Sequence, residues 1–206
     1  MKRDEPAAFA ETPQLILGRF EHSDVDAFVA YRNDPEVARY QSWDAMTLAQ
    51  ANDFVTHLAE RAPGEPGEWF QIAVRLKADG RLVGDFGLFI EAGDPRLAEL
   101  GFTFDRAHQG RGLATEAAKG LLRFAFGTLG LHRIKAIVDC RNAPAIRLLE
   151  RLGFRREGHF LQHAWFKGEW CDEYLYAMLR RDWECGKPSL RLMRLEPVEY
   201  LPIPKP

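Results

Sequence analysis

Gln109-Gly110-Arg111-Gly112-Leu113-Ala114-Thr115-Glu116 lies between a strand-like stretch, Leu97 to Phe104, and a long helical one. From Gly112 to Leu129 the apolar residues fall at helical spacing: Leu113, Ala117, Leu121 and Ala125, with Ala114, Ala118, Leu122 and Phe126 beside them. Glu116, Lys119 and Arg123 share the opposite face. The segment is therefore a strand, a glycine turn and a helix. Glycine and alanine let a ligand approach the backbone. The first N–H groups of a helix lack intrahelical acceptors, and the helix dipole adds positive potential there, so an anion such as pyrophosphate is welcome. Taken alone, such a turn is more often plain structure. The GxxxxGK[ST] spacing of a P-loop is absent, and the preceding strand belongs to an antiparallel meander, which excludes a Rossmann fingerprint.

Upstream, Phe70, Ile72, Val74 and Leu76 alternate as a strand, Asp79-Gly80 turns the chain, and Leu82 to Ile90 returns. Leu15-Ile16-Leu17 reads as a short first strand. Ser23 to Asp26 resembles a capping box for a helix to about Arg32, Asp34-Pro35 opens a short helix, and Thr47 to Gln50 caps another to about Arg61. Downstream, Arg133 to Asp139 is a buried strand, and Asn142 caps a helix with Pro144 in its first turn. That helix stops at Gly153-Phe154. Arg156–Ala164 and Asp172–Arg180 form a closing hairpin around Lys167-Gly168-Glu169. The order implies an α+β (mixed α/β) chain around one mostly antiparallel twisted sheet flanked by helices. Residues 1–13 are polar and expected to be flexible, and 14–183 form one domain. Residues 184–206 read as a docking arm or a disordered tail; Leu190, Leu192, Met193 and Leu195 suit self-association into a homodimer.

With 28 basic against 30 acidic residues, the chain has no nucleic-acid signature. Three widely spaced cysteines, Cys140, Cys171 and Cys185, argue against disulfide and zinc frameworks. No histidine pair has metal-ligand spacing, so no metal is expected. The N-terminus lacks the apolar run of a signal peptide, and no stretch reaches the ~18 apolar residues of a membrane span. The expectation is a cytoplasmic protein with no membrane partner.

Three motifs in order raise the glycine turn above plain structure. Gln109 to Ala114 resembles the Q/R-x-x-G-x-G/A coenzyme A motif of the GNAT superfamily. Asn142 to Phe154 is similar to that superfamily's N-x-x-[SA]-x-x-[LV]-x-E-[KR]-x-G-F motif. Ala98-Glu99-Leu100-Gly101-Phe102 resembles the A-E-[IL]-G-[YF] strand of its RimJ/RimL-type branch, which contains N-terminal acetyltransferases of ribosomal proteins. The likeness covers roughly residues 14 to 183. It implies the GNAT fold, and a transferase that moves the acetyl group of acetyl-CoA to a primary amine by direct attack in a ternary complex. The acceptor is a protein N-terminus or, alternatively, a small molecule such as an aminoglycoside, polyamine or amino acid. A non-catalytic acyl-CoA-binding module is the reading from another class.

The resemblance also implies roles. The pyrophosphate falls on the N–H groups of Gln109, Gly110, Arg111, Gly112, Leu113, Ala114 and Thr115, with pantetheine beside Phe102, Thr103 and Phe104. Asn142 is both helix cap and coenzyme neighbour, and with Glu99 it is expected at the reacting atoms. Glu99 is the candidate base, provided its strand carries the family's bulge beside Gly101; the alternative is an anchor or a salt bridge. Tyr40, Trp43 and Asp85 are candidates for the acceptor side. The family's Tyr and Ser positions are Leu149 and Ala145 here, so the acid is missing. A thiolate of ordinary pKa ~8.5 leaves without a strong acid. Water, Thr103 or Tyr40 remain as proton sources.

Overall fold

A computed structural model of the chain describes residues 8–41, 43–59 and 61–186. Eight strands form one sheet: β1 (Ala8–Glu11), β2 (Leu15–Gly18), β3 (Trp69–Leu76), β4 (Leu82–Ile90), β5 (Leu97–Phe104), β6 (Arg133–Asp139), β7 (Arg155–Phe166) and β8 (Glu169–Leu179). Their spatial order is β1-β2-β3-β4-β5-β6-β8-β7. Every neighbouring pair is antiparallel except β5 and β6. That parallel pair is short, joining only Leu97–Glu99 to Arg133–Lys135. Beyond Glu99 and Lys135 the two strands part, and the gap between them positions the site.

Strand alternation sends side chains to two faces. One face carries Leu15, Leu17, Ile72, Val74, Phe86, Leu88, Leu100 and Ile134. It is covered by α4 (Leu113–Arg123) and α5 (Ala143–Leu152), whose Ala117, Leu121, Leu122, Leu148 and Leu149 are buried. The other face, with Ala73 and Leu82, packs on Val25, Phe28 and Tyr31 of α1 (Val25–Arg32) and on Ala51, Val55 and Leu58 of α3 (Leu48–Ala59). Each fully buried large apolar side chain contributes about 1.5–3 kcal/mol. Between α1 and α3 lies α2 (Pro35–Ala38), started by Asp34, which accepts from the Glu36 N–H. A last short helix, α6 (Arg180–Glu184), follows β8.

Local signals hold where the sequence was richest. Thr47 and Gln50 bond each other's backbone N–H groups reciprocally, at 3.2 and 2.8 Å. Asn142 Oδ1 accepts from the Ala145 N–H, and α5 stops at Gly153.

Four expectations need correcting. Residues 8–11 are not loose: they form the edge strand β1, paired with β2. The turn after β1 is tied down from afar, because the Glu116 carboxylate accepts from Thr12 Oγ1 at 2.6 Å and from the Gln14 N–H at 2.8 Å. Gly120 allows the approach, since a Cβ there would sit 2.9 Å from Thr12 Cγ2. The cap before α1 is not Ser23–Asp26 but Glu21 with Asp24, which bracket a 3-10 turn at His22–Asp24. The helix from Gly112 is not uniform to Leu129; Phe124–Thr128 widen into a π-turn that keeps Phe124, Ala125 and Phe126 all buried. The family's bulge beside Gly101 is missing: β4 and β5 pair without a shift from Gly84–Phe104 to Ile90–Ala98. The start of the C-terminal extension is α6; Leu190, Leu192, Met193 and Leu195 lie outside the described residues. No described helix is long and apolar enough to cross a membrane.

Candidate active site

The parting of β5 and β6 creates a cleft of about 940 Å³. Its walls come from the end of β5 (Phe102, Thr103, Phe104), the turn and first residues of α4 (Gln109, Gly110, Gly112, Leu113, Ala114, Thr115) and the start of α5 (Asn142, Pro144, Ala145). Gly112 is the N-cap of α4 with φ 81°, a left-handed conformation in which glycine meets no steric penalty. It brings no side chain to cap the helix. The N–H groups of Leu113, Ala114 and Thr115, the first three of the helix, are therefore left for a ligand. Gly110 is also left-handed, and a Cβ on either glycine would meet open space.

Gln109 departs from its expected role: its N–H donates to the Arg106 carbonyl at 3.2 Å, and its Nε2 donates to the Phe104 carbonyl at 2.9 Å and pins the turn to β5. Arg111 is exposed and does not line the cleft. The basic residues at the walls are instead Arg39, Arg106, Arg141, Arg147 and Arg151, with His108 beside Asp105 at 2.7 Å. Arg147 and Arg151 were missed in the sequence. Their signal was one helical turn of spacing on α5, but which way that face points depends on α4. Arg151 shows the direction, since its Nη1 donates to Thr115 Oγ1 at 3.3 Å.

A second cavity, of about 270 Å³, continues from the first. The two share Tyr40, Gln41, Phe102, Asn142 and Ala145. The second is closed by Leu100 and Gly101 of β5, Ala136 to Asp139 of β6, Leu149 of α5, Ala164 to Phe166 of β7, and Cys171 and Glu173 of β8. Asp139 is committed within it: Arg141 donates from Nε at 3.0 Å, from Nη2 at 2.7 Å and from its backbone N–H at 2.7 Å. Burial pushes the Asp139 carboxyl up, but these bonds outweigh it and hold the group below the usual carboxylate range. Burial pushes the Cys171 thiol up, so it stays protonated rather than acting as a nucleophile.

Of the sequence candidates, Tyr40, Phe102 and Asn142 reach both cavities, and Thr103 and Phe104 line the first. Three others fall elsewhere. Asp85 of β4 is buried, with Tyr31 donating to one oxygen and Arg32 Nη2 to the other at 3.0 Å. Burial pushes both the Asp85 carboxyl and the Tyr31 hydroxyl above their ordinary values, and Arg32 opposes this at Asp85. Asp85 holds α1 on the sheet and lines neither cavity. Trp43 stacks on the Arg32 guanidinium at 3.9 Å and donates to the Arg32 carbonyl, extending the same cluster. Glu99 also lines neither cavity; its Oε2 lies 3.4 Å from Lys135 Nζ, which Glu91 holds at 2.7 Å.

Comparison with known proteins identifies the class of this fold. The model of the acetyltransferase (GNAT) domain matches residues 14–155. The uncharacterized N-acetyltransferase p20 of Bacillus licheniformis is 32% identical over 173 residues, 84% of this chain and 96% of that one. Among solved structures, a GNAT-family acetyltransferase from Bacillus anthracis superposes with a TM-score of 0.74 at 30% identity, over 84% of this chain and 98% of its own. RimJ of Mycobacterium smegmatis, solved in complex with CoA-disulfide, gives 0.69 at 25% identity, over 82% and 83%. The chain belongs to the GNAT family of N-acetyltransferases.

Proposed function

We propose that this chain binds acetyl-CoA in the cleft between β5 and β6 and transfers its acetyl group to a primary amine in the adjoining cavity, by direct attack in a ternary complex. The observation that carries the reading is the uncapped start of α4 standing beside a parted parallel strand pair, with a second cavity at the end of the gap. The pyrophosphate sits on the N–H groups of Gly110 to Thr115, with Arg147 and Arg151 beside it. Pantetheine follows Phe102, Thr103 and Phe104 toward Asn142. The bound thioester supplies an electrophilic carbonyl, whose developing oxyanion a backbone N–H of β5 near Phe102 stabilises. Tyr40, at the junction of the cavities, returns a proton to the leaving thiolate.

The acceptor we favour is a protein N-terminal amine. Two features support it: the likeness to RimJ, and the apolar surface of the β7–β8 hairpin, where Leu161, Trp165 and Trp170 are exposed and Trp165 reaches the cavity. Acetyl-CoA at 100 times its Kd should stabilise the fold by about 2.7 kcal/mol. A thermal scan with acetyl-CoA, followed by CoA-thiol release with an alanine-initiated tetrapeptide and with spermidine, tests the reading. No thermal shift removes the cofactor assignment. Faster turnover of spermidine moves the acceptor to the small-molecule class.

A further inference from the structure

We propose that Glu173, and not Glu99, meets the acceptor amine and takes its proton; this rests on the acetyl-transfer reading above. The only carboxylates lining the second cavity among the described residues are Asp139 and Glu173. Both oxygens of Asp139 are bonded by Arg141. Glu173 bonds a single described side chain, with Oε2 at 2.6 Å from His163 Nδ1, which leaves Oε1 to a ligand. The register places Glu173 on β8 opposite Asp139 of β6 on one side and Phe160 of β7 on the other. The rest of the wall is largely apolar: Val138, Leu149, Ala164, Trp165 and Phe166. In such surroundings an ammonium–carboxylate contact is worth several times its value in water.

An ammonium entering here gives one proton to Glu173 Oε1 and becomes a neutral amine. Its lone pair attacks the thioester carbon, and the carbonyl π pair moves to oxygen. Collapse breaks the C–S bond; Tyr40 gives its hydroxyl proton to the thiolate and takes up the second nitrogen proton in its place. The third stays in the amide. Glu173 releases its proton to solvent when product leaves. His163, half exposed, is a positioning residue that holds the carboxylate toward the cavity. The other charged or titratable groups around Glu173 are Asp139 with Arg141, Cys171, the adjacent Asp172 facing His159 at 3.8 Å, and Tyr40.

The test uses the full chain, CoA-thiol release and three amines: an alanine-initiated tetrapeptide, spermidine and glycinamide. For Glu173→Gln, kcat at neutral pH should fall by ~10²–10⁴-fold, and the loss should shrink as pH rises, because more amine arrives neutral. Its thermal shift with CoA should match the parent. Glu173→Asp, which keeps the charge but withdraws it, should fall between the two and guards against a folding artefact. Glu99→Gln should stay within about threefold of the parent, since it removes no group that touches the reacting atoms. A full kcat in Glu173→Gln overturns the inference, as does the loss appearing in Glu99→Gln. So does a rise in KM with kcat intact, which would make Glu173 an anchor only. A parent chain that shifts with CoA but acetylates none of the three amines overturns it too; one that does not shift with CoA overturns the parent reading first.

Discussion

The cleft proposed for acetyl-CoA and the cavity proposed for its acceptor meet at Tyr40 and Asn142, yet they are built in opposite ways. The cleft presents backbone: two left-handed glycines, an uncapped helix start, and strand residues whose partner strand has turned away. The glycines and the helix start arise between Gly110 and Thr115 and survive many side-chain changes. The cavity presents side chains drawn from β5, β6, β7, β8 and α5, and its chemistry rests on which of two carboxylates an arginine already holds. A shared cofactor and a variable acceptor are the expected outcome of that division.

Asp85→Ala separates scaffold from site most strongly. If Asp85 belongs to the scaffold, the variant strands Arg32 in the core and should cost about 3–5 kcal/mol, read by chemical denaturation. A stable variant with a raised KM for amine would return Asp85 to the acceptor side. Next comes Ala114→Glu. At a separation of ~4 Å the added charge would repel a pyrophosphate by ~4 kcal/mol per charge pair at an effective dielectric near 20, or roughly a thousandfold in Kd. An acidic residue in a helix's first turn should stabilise the free protein by about 0.3–1 kcal/mol, so loss of CoA binding without loss of Tm is the signature. Gly112→Val is a poorer probe, because φ 81° strains any larger residue whether or not a ligand binds. Tyr40→Phe should act on the junction alone, lowering kcat by ~10-fold or more while both KM values hold. Equal activity would hand the thiolate's proton to water.

What the sequence made legible follows the same division. The Thr47–Gln50 box, the Asn142 cap and the Gly112 helix start are local, and each bond closes within three or four residues. The edge strand β1 was not legible, because the turn that holds it is bonded by Glu116, over a hundred residues away in the chain. Asp85 alternates like a surface residue, and only the arrival of Tyr31 and Arg32 buries it. Glu99 sits in the expected motif, but β4 and β5 pair without the bulge that was to bring it to the site. Glu173 carries no motif at all. It becomes visible when β8 is laid against β6 and Arg141 is seen to neutralise the neighbouring acid.

The smallest predicted effect concerns that neighbour, and pH separates the two acids. Asp139 has a folded pKa below its unfolded value of about 3.9, because Arg141 outweighs burial. A depressed carboxylate stabilises the fold above the unfolded pKa, and that contribution fades as pH falls through the folded one. The gap in Tm between parent and Asp139→Asn should therefore be constant from about pH 7 to 5 and shrink toward pH 3. The pH dependence of kcat should keep its shape in the same variant, since in the parent Asp139 stays ionised and bonded to Arg141 throughout the working range and so sets no limb of the profile. A fall in kcat of ~10²-fold or more in Asp139→Asn that shrinks as pH rises, with Glu173→Gln near the parent, would reverse the two roles and make Arg141 the group that releases a base to the acceptor.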